Sequence, residues 1–115
     1  METSKKLTVV ACSGASNTGH YSDLVARKLM QSGQAKMLCL ARFEVDAEFA
    51  RKAGDEIEKL VVLDGCPINC AELTVKKAGI NGFNHINTTD FGIVKGKTPV
   101  TEEKVKEIVE YILHQ

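Results

Sequence analysis

The chain has 115 residues, a formal net charge of zero and 43% hydrophobic residues. Such a length suits a single domain with its own core, which we place over residues 1–115. Its lysines and arginines are dispersed, and no apolar stretch approaches the roughly 20 residues that span a bilayer. We therefore expect neither nucleic acid nor a membrane as a partner. The N-terminal segment does not resemble a secretory signal, so we expect a cytoplasmic protein.

Strand and helix patterns alternate through the first half of the chain. The predicted elements are a strand over 7–11, a helix over 21–30, a strand over 36–41 and a helix over 46–53. Asp46 is suited to cap the second helix, and Gly54 is suited to end it. The β-branched residues of the first run and the apolar character of the third favour strands in a shared sheet.

The same alternation continues to the C-terminus. The predicted elements are a strand over 60–63, a helix over 67–78, a strand over 83–87, a loop over 88–99 and a helix after Thr101. The run 60–63 is entirely apolar, which indicates a central strand covered on both faces. We therefore predict a single three-layer α/β domain of the Rossmann-like kind, with a mostly parallel sheet of about four strands flanked by helices.

The four cysteines follow this predicted architecture closely. Cys12 and Cys66 lie just beyond the end of a predicted strand and Cys39 lies near the end of another, and the carboxyl ends of parallel strands form the ligand-binding edge of such sheets. Cys70 follows Cys66 by four residues, which would place both on one face of the predicted helix. In a reducing compartment, clustered cysteines indicate metal binding or redox chemistry rather than disulfides. Four thiolates suit a tetrahedral Zn²⁺ site.

The segment from Cys12 to Gly19 links the first strand to the first helix. Its backbone amides and the helix start could hold an anion or spread the charge of a thiolate cluster. Ser13, Gly14 and Ser16 are therefore candidate binding residues. Phosphoryl transfer is not favoured, because Thr18 stands where a Cys-x₅-Arg loop has its arginine and no lysine forms a Walker motif.

Some single polar residues allow more than one interpretation. Asp64 could support a ligand or activate a water, but an Asp-Gly turn is the favoured interpretation. His20 lies near the Cys12 loop and is an alternative metal ligand. His85 is interpreted as structural, and Asp90 as a residue that organises the loop after the fourth strand.

Two other functions use the same thiols. In a thiol enzyme, Cys12 would be the nucleophile in an anion-binding loop, and Cys66 or Cys70 would resolve the intermediate. An iron–sulfur cluster could instead occupy the four cysteines. The residues leave open whether the protein is an enzyme, and whether a bound metal is structural, transported or catalytic.

Four segments of the chain match motifs of a known family. They are Cys-Ser-Gly-x-Ser-x-x-Gly at 12–19, Cys-Leu-Ala at 39–41, Asp-Gly-Cys-Pro-x-x-Cys-Ala at 64–71 and Thr-Asp-Phe-Gly-Ile-x-Lys-Gly at 89–96. In this order they resemble the DGC-domain proteins, small prokaryotic proteins described as zinc-binding. The resemblance implies a zinc-binding role for Cys12, Cys39, Cys66 and Cys70. Family members tend to have a glycine-rich stretch after the second cysteine, whereas this chain has Arg-Phe-Glu-Val at 42–45.

Overall fold

The computed structural model describes residues 7–12, 16–56, 59–65 and 67–115. Within these ranges, four strands alternate with five α-helices and one short 3-10 helix. The strands are β1 (Leu7–Ala11), β2 (Lys36–Met37), β3 (Lys59–Asp64) and β4 (Asn84–Asn87). The α-helices are α1 (Asn17–Gln31), α2 (Leu40–Val45), α3 (Ala47–Glu56), α4 (Cys70–Lys77) and α5 (Glu102–Leu113), and the 3-10 helix is Thr88–Phe91.

The described strands form one sheet in the order β2-β1-β3-β4, and every neighbouring pair is parallel. The predicted α/β class with a mostly parallel sheet is confirmed. β3 is central, as its apolar sequence predicts, with Leu60 to Leu63 buried between β1 and β4. The chain leaves β1 on one side to form β2 and returns on the other side to form β3. The β1–β3 boundary is therefore the topological switch point, where open α/β sheets bind ligands.

Helices cover both faces of the sheet, which gives the predicted three layers. The side chains of β3 alternate between two cores: Val61 and Leu63 pack with α1 and α5, whereas Leu60 and Val62 pack with α2, α3 and α4. This alternation follows from the period of two along a strand. Within the described part of the chain, no helix combines the length and apolar character that crossing a membrane requires.

The region around Cys39 differs from the prediction. The strand predicted over 36–41 is only two residues long, and helix α2 begins directly after Cys39. The apolar residues Leu40 and Phe43 lie three apart, so in a helix they share a face and pack into the α4-side core. Phe43 also contacts Phe49 of α3, with ring centroids 5.4 Å apart. Burial of these side chains favours a helix where the run of apolar residues suggested a strand.

Two helix boundaries were also predicted wrongly. Helix α3 continues through Gly54, where the absence of a side chain admits Ile80. Helix α4 begins at Cys70 rather than at Pro67. Its preceding residue, Asn69, is left-handed with a φ of 59°, and a continuous right-handed helix cannot contain that conformation. The helix predicted from Pro67 therefore starts three residues later, at Cys70, and the predicted pairing of Cys66 with Cys70 on one helix face involves a residue outside the described ranges.

The predicted caps Thr101 and Asp46 are confirmed, whereas the predicted start of α1 is not. Thr101 caps α5, since its Oγ1 accepts a hydrogen bond from the backbone nitrogen of Lys104 at 3.2 Å. Asp46 caps α3 through the backbone nitrogen of Phe49, at 3.0 Å. Helix α1 starts earlier than predicted, because Ser16 caps it, with its hydroxyl oxygen 3.2 Å from the nitrogen of Gly19.

Candidate functional site

The cysteines follow three adjacent strands of the sheet. Cys12 continues β1, where its backbone nitrogen donates to the carbonyl oxygen of Leu63 in β3 at 2.9 Å. Cys39 follows the neighbouring strand β2, is exposed, and occupies the cap position of α2. Cys70 is exposed and opens α4 after β3. Cys66 lies outside the described residues, directly after Gly65 at the end of β3. The predicted placement at one sheet edge thus holds for the backbone positions of the described cysteines.

The side chains do not by themselves enclose an ion. Among the residues that the structure describes, no three His, Cys, Asp or Glu side chains form a group that could hold a metal. The donor chemistry and the backbone placement fit a thiophilic metal, while the thiols of Cys12, Cys39 and Cys70 are not gathered around one point. The zinc site thus stays a prediction.

The structure describes only some of the other residues that the sequence predicts for binding. Ser13 and Gly14 lie outside the described residues. Ser16 serves as the α1 cap, and its hydroxyl is also 3.0 Å from that of Thr18. His20 is exposed on the first turns of α1. Their roles in holding an anion, a cofactor or a metal stay predictions.

Asp64 forms a buried link between the central strand and helix α4. Its side chain is fully buried, with Oδ1 accepting from the nitrogen of Ala71 at 2.7 Å and Oδ2 from that of Glu72 at 3.0 Å. These nitrogens belong to the first turn of α4, where a negative charge is stabilised by the helix dipole. The carboxylate therefore caps α4 from the end of β3, a role beyond the Asp-Gly turn that we favoured from the sequence.

His85 lies in β4, as predicted, and bonds to the same carboxylate. Its Nε2 is 2.8 Å from Oδ2 of Asp64. A carboxylate offers only acceptors, so Nε2 is the donor in this bond. The other ring nitrogen, Nδ1, is 3.8 Å from Oε1 of Glu72 in α4. The imidazole thus joins the edge strand to both the capping carboxylate and the first turn of α4.

A second polar contact joins β4 to the residue before Cys70. The side-chain nitrogen of Asn87 donates to Oδ1 of Asn69 at 2.7 Å. Oδ1 of Asn87 in turn accepts from the backbone nitrogen of Thr89 at 3.0 Å. Among the described residues, Asn69 is the one non-glycine residue with a positive φ. β4 therefore holds the left-handed residue from which α4 begins.

The residue after β3, Gly65, packs directly on the first turn of α1. A Cβ atom on Gly65 would lie 2.3 Å from the carbonyl oxygen of Thr18, at the start of α1. The same oxygen accepts from the hydroxyl of Thr88 at 3.1 Å. The glycine of the Asp-Gly-Cys segment is thus needed for a close backbone approach. This contact holds the start of α1 against the end of β3 at the switch point.

Asn69, Asn87 and Thr18 were not singled out from the sequence. One signal was present: Asp64 and Asn87 are polar residues that end two strands, and the sheet register pairs them. Polar residues at the carboxyl ends of neighbouring parallel strands meet at the ligand-binding edge. That rule, applied to β4 as it was to the cysteines, would have placed Asn87 in the site.

The fold and this edge define a parallel α/β domain in which cysteines and buried polar residues follow the carboxyl ends of the strands. The model of the DGC domain family matches residues 8–112, and the chain belongs to that family. It is also similar to the anaerobic and virulence modulator AnvM of Pseudomonas aeruginosa, with 26% identity over 87 residues. The alignment covers 76% of this chain and 66% of AnvM, so the chain spans just under two thirds of that relative. No solved structure matches the chain.

Proposed function

We propose that this DGC-domain protein binds Zn²⁺ through Cys12, Cys39, Cys66 and Cys70 at the carboxyl edge of its sheet. The observation that carries the proposal is the strand order β2-β1-β3. Because these strands are consecutive, Cys12 and Cys39, which follow β1 and β2, lie along one edge, and in the sequence Cys66 comes directly after Gly65, the residue that follows β3. Cys70 comes from the helix that starts at the same edge.

Binding requires the thiols to converge. Neighbouring strands are about 4.8 Å apart, so three strand ends spread their side chains over roughly 10 Å. Zinc–sulfur bonds of about 2.3 Å bring the sulfurs much closer together. Cys39 and Cys70 are exposed, so solvent rather than packed atoms surrounds their side chains. In this proposal the metal gathers the thiols, and part of its binding energy orders the edge of the domain.

The donor set suits zinc better than a hard cation. Thiolates are soft ligands that favour Zn²⁺ over Mg²⁺ or Ca²⁺. Cys70 occupies the first turn of α4, which starts at the carboxyl edge of the sheet. Each thiol loses its proton when it binds, so zinc affinity falls as the pH is lowered.

We propose a regulatory use for this site, as metal handling or sensing. The name of the Pseudomonas aeruginosa relative, an anaerobic and virulence modulator, supports this direction. The exposure of Cys39 and Cys70 supports it as well, because oxidation of a ligating sulfur removes a ligand and releases the metal. Peroxide treatment of the zinc-loaded protein should then release zinc, and a thiol reductant should restore binding.

Zinc affinity of cysteine variants tests the proposal. We expect Cys66→Ser and Cys70→Ser to weaken zinc binding strongly when a chelating dye competes for the metal. His20→Ala and His114→Ala are matched controls, since both histidines are exposed and should retain wild-type affinity. If Cys66→Ser binds zinc as the wild type does, or if His20→Ala loses binding, the four-cysteine assignment is wrong.

Thiol chemistry is the second candidate, favoured by the position of Cys12. This half-buried residue lies between β1 and the start of α1 at the switch point, and the hydroxyl of Ser22 donates to its carbonyl oxygen. An enzyme of this kind would form a reversible disulfide between Cys12 and Cys66 or Cys70 without metal. Mass spectrometry of the metal-free, alkylated protein detects that disulfide. An iron–sulfur cluster would instead give a coloured protein on anaerobic purification.

A further inference from the structure

We propose that the edge strand β4 positions Cys70 for ligand binding through two pairs, His85–Asp64 and Asn87–Asn69. The inference rests on the proposed function, in which Cys70 is a metal ligand. It assigns positioning roles to residues outside the cysteine set. It also ranks the ligands, with Cys70 held in place in advance and Cys39 brought in by the metal.

The first pair fixes the residues after Cys70. Both oxygens of Asp64 accept backbone N–H groups of the first turn of α4, from Ala71 and Glu72. His85 donates to Oδ2 of that carboxylate, and this bond fixes the orientation of the carboxylate group. The carboxylate is fully buried, so a lost hydrogen bond there is not replaced readily by water. Removal of the imidazole should therefore allow Asp64, and with it the start of α4, to shift.

The second pair fixes the residue before Cys70. Asn69 has a left-handed backbone, a conformation that is unfavourable for L-residues and that Asn tolerates better than most. Such a conformation persists where surrounding contacts enforce it. The 2.7 Å hydrogen bond from Asn87 to Asn69 is a contact of this kind. It sets the direction in which the chain enters α4.

Both pairs originate on one face of β4 and end on either side of the same cysteine. His85 and Asn87 are two residues apart in the strand, and the sheet register pairs Asn87 with Asp64. The chain is thus held at the side chain of Asn69 and at the backbone nitrogens of Ala71 and Glu72, while Cys70 is exposed. A ligand whose backbone is fixed beforehand loses less entropy on binding.

Cys39 has a different setting. It precedes the six-residue helix α2 and makes no side-chain capping bond there. It also follows β2, a two-residue strand at the edge of the sheet. The contrast with the bonded surroundings of Cys70 gives the expected ranking. Replacement of Cys70 should therefore weaken binding more than replacement of Cys39.

The test measures Co²⁺ and Zn²⁺ affinity in the full chain carrying His85→Ala, Asn87→Ala or the conservative His85→Gln. Cobalt is the probe because its thiolate charge-transfer absorption reports sulfur ligation directly. We expect His85→Ala and Asn87→Ala to weaken binding about 10–100-fold, the usual cost of losing a group that orients a ligand. His85→Gln should recover part of that loss, since its amide can donate to Asp64.

A destabilised control separates positioning from general loss of stability. Tyr21→Phe removes a buried hydrogen bond on the α1 side of the sheet, away from α4. We expect it to lower the melting temperature and to leave cobalt affinity unchanged. If the wild type binds neither metal, the proposed function itself fails. If the wild type binds and His85→Ala and Asn87→Ala bind equally well, or if Tyr21→Phe weakens binding as they do, the positioning role is wrong.

Discussion

Gly65 and Thr18 lie in backbone contact across the switch point of the sheet. A Cβ atom at position 65 would stand 2.3 Å from the carbonyl oxygen of Thr18 and 2.6 Å from the nitrogen of Gly19. Real Cβ atoms do not approach backbone atoms this closely, and no side-chain rotation can relieve the overlap. The contact explains why the Asp-Gly-Cys segment needs its glycine, and it joins the residue after β3 to the first turn of α1.

Gly65→Ala should destabilise the protein by about 2–3 kcal/mol, because the first turn of α1 must move to admit the methyl group. Gly54→Ala is the matched control. Its Cβ would lie 3.1 Å from Cγ1 of Ile80, so that side chain need shift by only a few tenths of an ångström, and Ala is favoured over Gly inside a helix by about 1 kcal/mol. Urea unfolding gives both free energies. Equal stability of the two variants would contradict the close approach at Gly65.

Tyr21 of α1 is hydrogen-bonded to the segment before α5. Its fully buried side chain donates from the hydroxyl to the carbonyl oxygen of Pro99 at 2.6 Å and accepts from the nitrogen of Thr101 at 3.0 Å. Tyr21→Phe removes the hydroxyl that bonds to the carbonyl of Pro99 and the nitrogen of Thr101. We therefore expect a loss of about 1–3 kcal/mol in the free energy of unfolding. Tyr111→Phe is the control, because Tyr111 is 51% exposed. A comparable loss in the control would refute the role of the Tyr21 hydroxyl.

Asp46 gives a pH-dependent contribution to helix α3. The backbone N–H of Phe49 and, secondarily, the Arg42 side chain hold the pKa of the Asp46 carboxyl below its usual value of 3.8. A depressed folded-state pKa means that the stabilisation is present above the unfolded-state pKa and is lost as the pH falls through the folded-state value. The stability difference between the wild type and Asp46→Asn should therefore shrink in acid. Thermal melts from pH ~6 to ~3 measure it, and a constant difference would exclude this effect.

The elements that could be predicted from the sequence are those marked by a local signal, such as an all-apolar run or a helix-capping residue. The all-apolar residues 60–63 indicated the central strand β3, and Thr101 indicated the start of α5. Helix α2 was missed because Leu40 and Phe43 have the same apolar character in a strand and in a short helix, and packing against α3 decides between them. Local patterns do not report such tertiary contacts.

The candidate site could likewise be predicted only where local signals mark its residues. The positions of Cys12 and Cys39 along the sheet edge follow from strand ends, which the sequence indicates. The bonds from His85 and Asn87 to the start of α4 join residues that are far apart in the chain. They depend on the register between β3 and β4, which single residues do not encode. The left-handed Asn69 likewise depends on its partner in β4, so the helix predicted from Pro67 began too early.

The decisive measurement is the zinc content of the wild-type protein, purified without chelators or affinity metals and determined by elemental analysis and native mass spectrometry. We expect zinc in equimolar amount with the chain, and its loss in a variant with Cys12, Cys39, Cys66 and Cys70 all replaced by serine. A folded wild-type protein that carries no zinc and takes up none when it is added would contradict the proposal.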